Sequence, residues 1–168
     1  MLFRSIVLDG ETWQKDDVGF AGAKGFGGGF GETSLAPWGE PVLKRFVKEA
    51  MQESLKLERA LASLRTRRKV ALMHYSPIVA TVEGEPLEIQ PFLGSSRLEE
   101  PLDRYHVDVT VHGHAHRGTL AGRTRGGSPV YNVALPLRLA KRRPPLLVLD
   151  LEALEQGASK PHEESSAA

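Results

Sequence analysis

Histidine is the residue type in this chain whose placement most strongly indicates chemistry. Four of the six histidines follow two mostly apolar runs: His74 comes after residues 69–73, and His112, His114 and His116 come after residues 107–111. Neutral imidazole is the commonest side-chain ligand of protein-bound metals. Side chains two residues apart share a face of an extended chain, so His114 and His116 could bind one cation, or two cations about 3.5–4 Å apart. Gly113 would let the backbone turn so that the rings converge. The pattern predicts a divalent metal site, with local hydrogen bonding at a strand end as the alternative.

Elements able to position these histidines alternate along the chain. Apolar runs bounded by turn residues predict buried strands at 5–9, 18–22, 69–73, 107–111 and 145–151, and a hairpin that joins 118–123 to 129–135 around Gly126 and Gly127. An apolar stripe at helical spacing predicts a helix over 41–64, and a shorter helix is expected from Ser95 to about residue 105. The alternation predicts an α/β (α+β) fold with the reactive loops at the carboxyl ends of strands.

Composition excludes several other classes of protein. The chain has 168 residues, 40% of them hydrophobic and 26% charged, as expected for a globular domain. Its net charge of +1 supplies no field that would recruit nucleic acid, so nucleic acid is an unlikely partner. The absence of cysteine excludes disulfides, cysteine zinc sites, iron–sulfur clusters and cysteine nucleophiles. No apolar run approaches the ~20 residues of a membrane helix, and no signal peptide precedes residue 5, so we expect a cytoplasmic protein that does not enter membranes.

Two motifs of the chain resemble a known enzyme family. Residues 70–77 read Val-Ala-Leu-Met-His-Tyr-Ser-Pro, and residues 109–116 read Val-Thr-Val-His-Gly-His-Ala-His. Together they resemble the last two metal motifs of the calcineurin-like metallophosphoesterases, which hold two divalent metals at the edge of a four-layer αββα sandwich. The resemblance implies that His74 and His114 bind one metal and that His116 binds the other. It fixes no role for His112, which is interpreted as a structural residue or as a support for the metal ligands. It also implies phosphoester hydrolysis by a metal-bound hydroxide.

The family's earlier motifs are missing from this chain. Asp-x-His, Gly-Asp-x-x-Asp and Gly-Asn-His-Asp/Glu do not occur, and the single asparagine, Asn132, stands in Tyr-Asn-Val. These motifs supply the bridging aspartate and the histidine that protonates the leaving group, so the resemblance assigns no catalytic acid here. The chain is therefore expected to be the carboxyl-terminal half of such an enzyme: residues 1–155 form a partial phosphoesterase domain and 156–168 a disordered tail.

The missing motifs limit the expected activity. Two adjacent cations need anionic ligands that offset their repulsion, and three neutral imidazoles provide none. We expect at most one weakly held manganese, iron or zinc ion, little or no turnover by this chain alone, and self-association through an uncovered face of the sheet. The expected substrate is a phosphorylated small molecule. The alternative function is a non-catalytic, histidine-rich metal-binding or assembly module. The glycine cluster at 25–31 lacks the Gly-Lys-Ser/Thr of a phosphate loop and is interpreted as a loop over packed phenylalanines.

Overall fold

Six strands form one mixed sheet in the computed structural model, which describes residues 5–155. The strands are β1 (Thr12–Lys15), β2 (Val18–Ala23), β3 (Arg68–Met73), β4 (Val109–His112), β5 (Ala121–Arg123) and β6 (Pro129–Asn132). Their order across the sheet is β1-β2-β3-β4-β6-β5. β2, β3, β4 and β6 are mutually parallel, whereas β1 and β5 pair antiparallel with their neighbours and form the two edges. The predicted α+β class with a mixed sheet is therefore confirmed.

Helices flank this sheet. They are α1 (Pro41–Ser63), α2 (Gln90–Leu93), α3 (Glu99–Arg104), α4 (Leu135–Ala140) and α5 (Leu151–Glu155), with short 3-10 helices at Gly31–Thr33, Val79–Thr81, Leu87–Ile89 and Ser96–Leu98. α1 is the helix predicted over 41–64. It begins at Pro41, where the missing backbone N–H costs no hydrogen bond. Among the helices of residues 5–155, none combines the length and apolarity needed to cross a membrane.

The main core lies between α1 and one face of the sheet. The sheet contributes small buried residues, Ala21 and Ala71, so the helix can pack closely against the strands. α1 contributes Leu57 and Leu61, and α3 contributes Leu102, all of them fully buried. Each buried leucine stabilises the fold by about 1.5–3 kcal/mol relative to an exposed one. This packing fixes the strands whose ends carry the histidines.

The opposite face of the sheet is covered only in part. Val70, Val109 and Tyr131 are buried there, and a row of partly buried side chains from the end of the described chain packs against them: Leu147, Leu149, Leu151 and Leu154. The predicted strand at 145–151 is wrong, because this segment is not one of the six strands and its last residue begins α5. Its alternating apolar residues, Leu147 and Leu149, pack on the face of the sheet.

The predicted buried strand at 5–9 is also wrong. Ile6 and Val7 are exposed, at 59% and 80%, and residues 5–8 belong to no strand. The free edge of β2 is taken instead by β1, which reaches it through a tight turn in which Asp16 adopts a left-handed φ of 54°. β1, and not the apolar run before it, is thus the strand that pairs with β2. The predicted tail at 156–168 lies outside the described residues.

Candidate metal centre

The carboxyl ends of four parallel strands lie side by side along one border of the sheet, which brings the candidate residues together. His74 directly follows β3, His112 is the last residue of β4, and Asn132 is the last residue of β6. The next strand along, β2, leads into Lys24 and the glycine cluster. This juxtaposition follows from the parallel pairing, because parallel strands deliver their carboxyl ends to one edge.

The rings of His74 and His114 are neighbours at this edge. Their centroids lie 4.7 Å apart. The backbone of the two loops is tied together where the Gly113 N–H donates to the His74 carbonyl at 3.2 Å. His114 has a φ of 66°, a left-handed conformation that costs a residue with a side chain roughly 1–2 kcal/mol. The turn that the sequence assigns to Gly113 is therefore made one residue later, at His114.

Hydrogen bonding fixes the tautomer of His114. Its Nε2 lies 3.2 Å from the carbonyl oxygen of Phe92, and a carbonyl can only accept, so Nε2 carries the proton. In the neutral ring the lone pair is then on Nδ1. A metal-binding histidine commonly donates its other ring N–H in this way. His114 thus has the arrangement of an Nδ1 ligand.

Partial burial and neighbouring charges favour the neutral form of His74, the form that metal binding requires, even though the residue is still exposed. Burial lowers the pKa of His74 below its ordinary value of 6.5, and the neighbouring charges of His114 and His116 lower it further. Desolvation and like charge both disfavour the imidazolium, so they act in the same direction. The ring of Tyr75 lies 4.5 Å from that of His114 and 5.4 Å from that of His74, which places an aromatic wall beside the pair. Sequence reasoning did not single out Tyr75.

The third predicted ligand is His116, whose charge acts on His74. Its side chain is exposed, two residues beyond His114. Within residues 5–155, no group of three or more His, Cys, Asp or Glu side chains is arranged to hold a metal ion. The candidate donors at the carboxyl ends of the strands are therefore the two adjacent imidazoles of His74 and His114, a donor type that suits zinc, iron or manganese; no carboxylate of the described residues is grouped with them.

His112 has a different role from its neighbours because it is buried. Its side chain is 1% exposed, and burial lowers its pKa to about 4. Nδ1 donates to the Gly113 carbonyl at 2.8 Å, and Nε2, which is then the acceptor, receives the Thr81 hydroxyl at 2.8 Å. Both ring nitrogens are occupied, so His112 supports the loop and is not free to bind a metal.

Asn132 holds the same loop from the next strand. It is fully buried, and its Nδ2 donates to the carbonyl of Ala115 at 2.7 Å, between His114 and His116. Its Oδ1 accepts the Ala134 N–H at 3.1 Å. The sequence indicated only that Asn132 stands at the end of a strand, before a turn. It did not indicate which loop Asn132 would support.

The glycine cluster at 25–31 does not cradle a phosphate. Its backbone N–H groups already have partners: Gly28 donates to the Pro91 carbonyl at 2.7 Å, and Gly29 donates to the Gly94 carbonyl at 3.0 Å. Phe30 is buried beneath the loop, as expected from the sequence. At Gly27 and Gly29 a Cβ would lie 2.6 Å from the carbonyl oxygens of Pro91 and Thr33, so close packing of the backbone explains these two glycines.

Comparison of the whole chain with family models, with curated proteins and with solved structures found no match in any of the three.

Proposed function

We propose that this chain is the histidine-bearing half of a metal-dependent phosphoester hydrolase of the calcineurin-like type. The observation that carries the proposal is the pairing of His74 and His114 at the carboxyl edge of the sheet, with ring centroids 4.7 Å apart. Each imidazole follows a rigid strand, each has a lone pair to offer when neutral, and each stands next to open solvent on one side. A bound divalent cation would supply Lewis acidity and an activated water at such a site.

The chain's own residues would bind the cations and orient the groups around them. His74 and His114 would hold one cation, and His116, on the same loop, would serve a second cation once further ligands complete the centre. Tyr75 would limit access to the histidine pair from one side. The resemblance assigns the general acid to the missing motifs, so the proposal takes it from there and not from these residues.

The missing half of the enzyme would supply the remaining ligands and a second sheet. Carboxylates and the remaining histidine would be supplied by a second layer of sheet packed on the half-covered face of Val70, Val109 and Tyr131. That would complete the four-layer sandwich implied by the resemblance. Without it, we expect the face to promote self-association. A phosphorylated small molecule in the cytoplasm is the substrate class that we propose.

Hydrolysis of a chromogenic phosphodiester in manganese tests the function. We expect the chain alone to show little or no turnover. We expect turnover when it is joined to the polypeptide encoded upstream in the same reading frame, where Asp-x-His, Gly-Asp-x-x-Asp and Gly-Asn-His should be found. Loss of an outer partner of a metal ligand costs about 10–100-fold, so His114→Ala should reduce the rate by at least about 100-fold.

The matched control is His106→Ala. His106 is exposed before β4, at the opposite end of the strand from His114, and the variant should keep full activity. Equal activity of His114→Ala and wild type would refute the assignment.

A non-catalytic metal-binding module is the second candidate. It is favoured by one observation: in the part of the chain that the structure describes, no carboxylate joins the two imidazoles in a metal-binding group. Zinc binding that persists without any hydrolysis, even after the upstream polypeptide is supplied, would favour this module over the enzyme.

A further inference from the structure

The backbone of His74 is held from outside its own strand. The carbonyl of Lys24, just beyond β2, accepts the N–H of His74 at 3.1 Å and the N–H of Tyr75 at 3.2 Å. The register of β2 with β3 ends one residue earlier, at Ala23 and Met73. The position of the His74 backbone therefore depends on the position of the loop that contains Lys24 and Gly25.

A buried carboxylate fixes that loop. Glu53, on α1, is 2% exposed, and its Oε2 accepts the N–H of Gly25 at 2.9 Å. Gly25 has a left-handed φ of 74°, so its N–H is presented by a turn that only a few residue types adopt. The neighbouring N–H, that of Lys24, donates to Asp9 Oδ1 at 3.2 Å. Two carboxylates thus hold two successive amides of the loop.

Lys56 connects these carboxylates into one network. Its ammonium donates to Asp9 at 3.0 Å and to Glu53, one turn away on α1. A buried carboxylate is tolerated only when its charge and lone pairs are satisfied, and here both are. Glu53 lies on the buried side of α1, between the apolar residues Ala50 and Leu57.

We infer that Glu53 is a positioning residue for the metal centre: through Gly25 and Lys24 it sets the backbone of His74, and with it the spacing of His74 from His114. The consequence for metal binding rests on the proposed function, whereas the consequence for the loop does not. An apolar side chain at this position would keep the packing of α1 but leave the Gly25 N–H unpaired.

Two variants of Glu53 separate positioning from packing. Glu53→Leu removes the acceptor, and Glu53→Gln keeps an oxygen of similar reach but replaces a charge-assisted hydrogen bond by a weaker neutral one. The control is Asp103→Asn. Asp103 likewise holds a turn, accepting the Gly126 N–H at 2.9 Å, but it does so at the opposite end of the sheet.

Two measurements are made on the full chain, amide hydrogen exchange and affinity for Zn²⁺ alone. In Glu53→Leu we expect exchange at Gly25, His74 and Tyr75 to rise by about tenfold, and zinc affinity to fall by about tenfold, the lower end for an outer partner. In Glu53→Gln the same amides should exchange a few-fold faster, so the test survives if the leucine variant does not fold. Asp103→Asn should leave these amides and the zinc affinity unchanged.

The inference is overturned if the Glu53 variants and Asp103→Asn change exchange at these amides equally. It is also overturned if the loop amides respond while zinc affinity stays at the wild-type value. Failure of the wild-type chain to bind zinc would instead count against the proposed function, and the exchange data alone would then decide whether Glu53 sets the loop.

Discussion

His112 and His114 stand two residues apart, yet their surroundings give the two imidazoles different chemistry. His112 is buried and has a hydrogen-bond partner on each ring nitrogen. His114 donates from Nε2 to the Phe92 carbonyl, so in its neutral form the lone pair is on Nδ1. The left-handed φ of His114 turns its ring toward His74. Backbone strain of this kind is often found at functional sites, where surrounding contacts hold it in place.

Stability should depend on pH through His112. The pKa of this residue is about 4 in the folded chain and 6.5 when unfolded, so the unfolded chain binds more protons between these values. The free energy of unfolding should therefore be constant above about pH 6.5 and fall by roughly 2–3 kcal/mol as the pH is lowered to about 4. Urea unfolding across this range measures the effect.

The control for this prediction is His112→Gln, which cannot titrate. Carboxylates contribute to acid unfolding of both proteins, so the difference between the two curves isolates His112. Parallel curves for the variant and the wild type would mean that His112 is not held neutral by burial.

Sequence reasoning found the histidines because their types and spacing are local properties. It interpreted His112 as a structural or supporting residue, and the burial of His112 and its hydrogen bond to Thr81, distant in sequence, show what it supports. The adjacency of the His74 and His114 rings follows from the parallel pairing of β3 with β4, which the sequence implied only through the fold class. The partnership of Glu53 with Gly25 gave no sequence signal, because charged residues on a helix are usually solvated.

At the scale of elements, the strongest periodic signals were the most reliable. α1 was predicted to within one residue of its end, and the hairpin of β5 and β6 was found from its glycine turn. Residues 5–9 form no strand, and β1 pairs with β2 in their place. The prediction for 145–151 was wrong because an alternating apolar pattern suits a segment lying on a sheet as well as a strand within it. Competition for a sheet edge is a tertiary effect that local patterns do not contain.

The connection between β3 and β4 depends on one close approach of backbones. A Cβ at Gly94 would lie 2.0 Å from the carbonyl oxygen of Ser76, whereas a Cβ at Gly113 would meet nothing nearer than His74 Nδ1, at 3.9 Å. Gly94→Ala should therefore destabilise the protein by about 3 kcal/mol, since the two segments must separate. Gly113→Ala should cost less than about 1 kcal/mol. Chemical denaturation measures both, and equal losses would contradict the packing described for this connection.

At the scale of the whole molecule, the two faces of the sheet differ in their cover. One is packed under α1 and α3, whereas the other relies on the partly buried leucines of the segment at 146–154. Leu147 and Leu149 face the sheet. The alternate residues Leu146 and Val148 are 77% and 64% exposed. The segment is thus a thin cover over an apolar surface.

Removing this cover should increase self-association. Changing Leu147 and Leu149 together to serine should destabilise the chain by about 1 kcal/mol for each residue and uncover the sheet face. Sedimentation velocity over a range of concentrations should then show more dimer or higher oligomer. The matched pair Leu146→Ser and Val148→Ser removes exposed apolar surface and should reduce association or leave it unchanged. The same response to both pairs would show that association does not involve the sheet face.

Equilibrium binding of zinc to the full chain tests most directly the proposal that His74 and His114 together hold a divalent cation. We predict a single weak site that is weakened more than tenfold by His74→Ala and by His114→Ala, and is unchanged by His106→Ala. Zinc bound equally by all three variants, or no zinc bound by the wild-type chain, would show that His74 and His114 do not form a cation site.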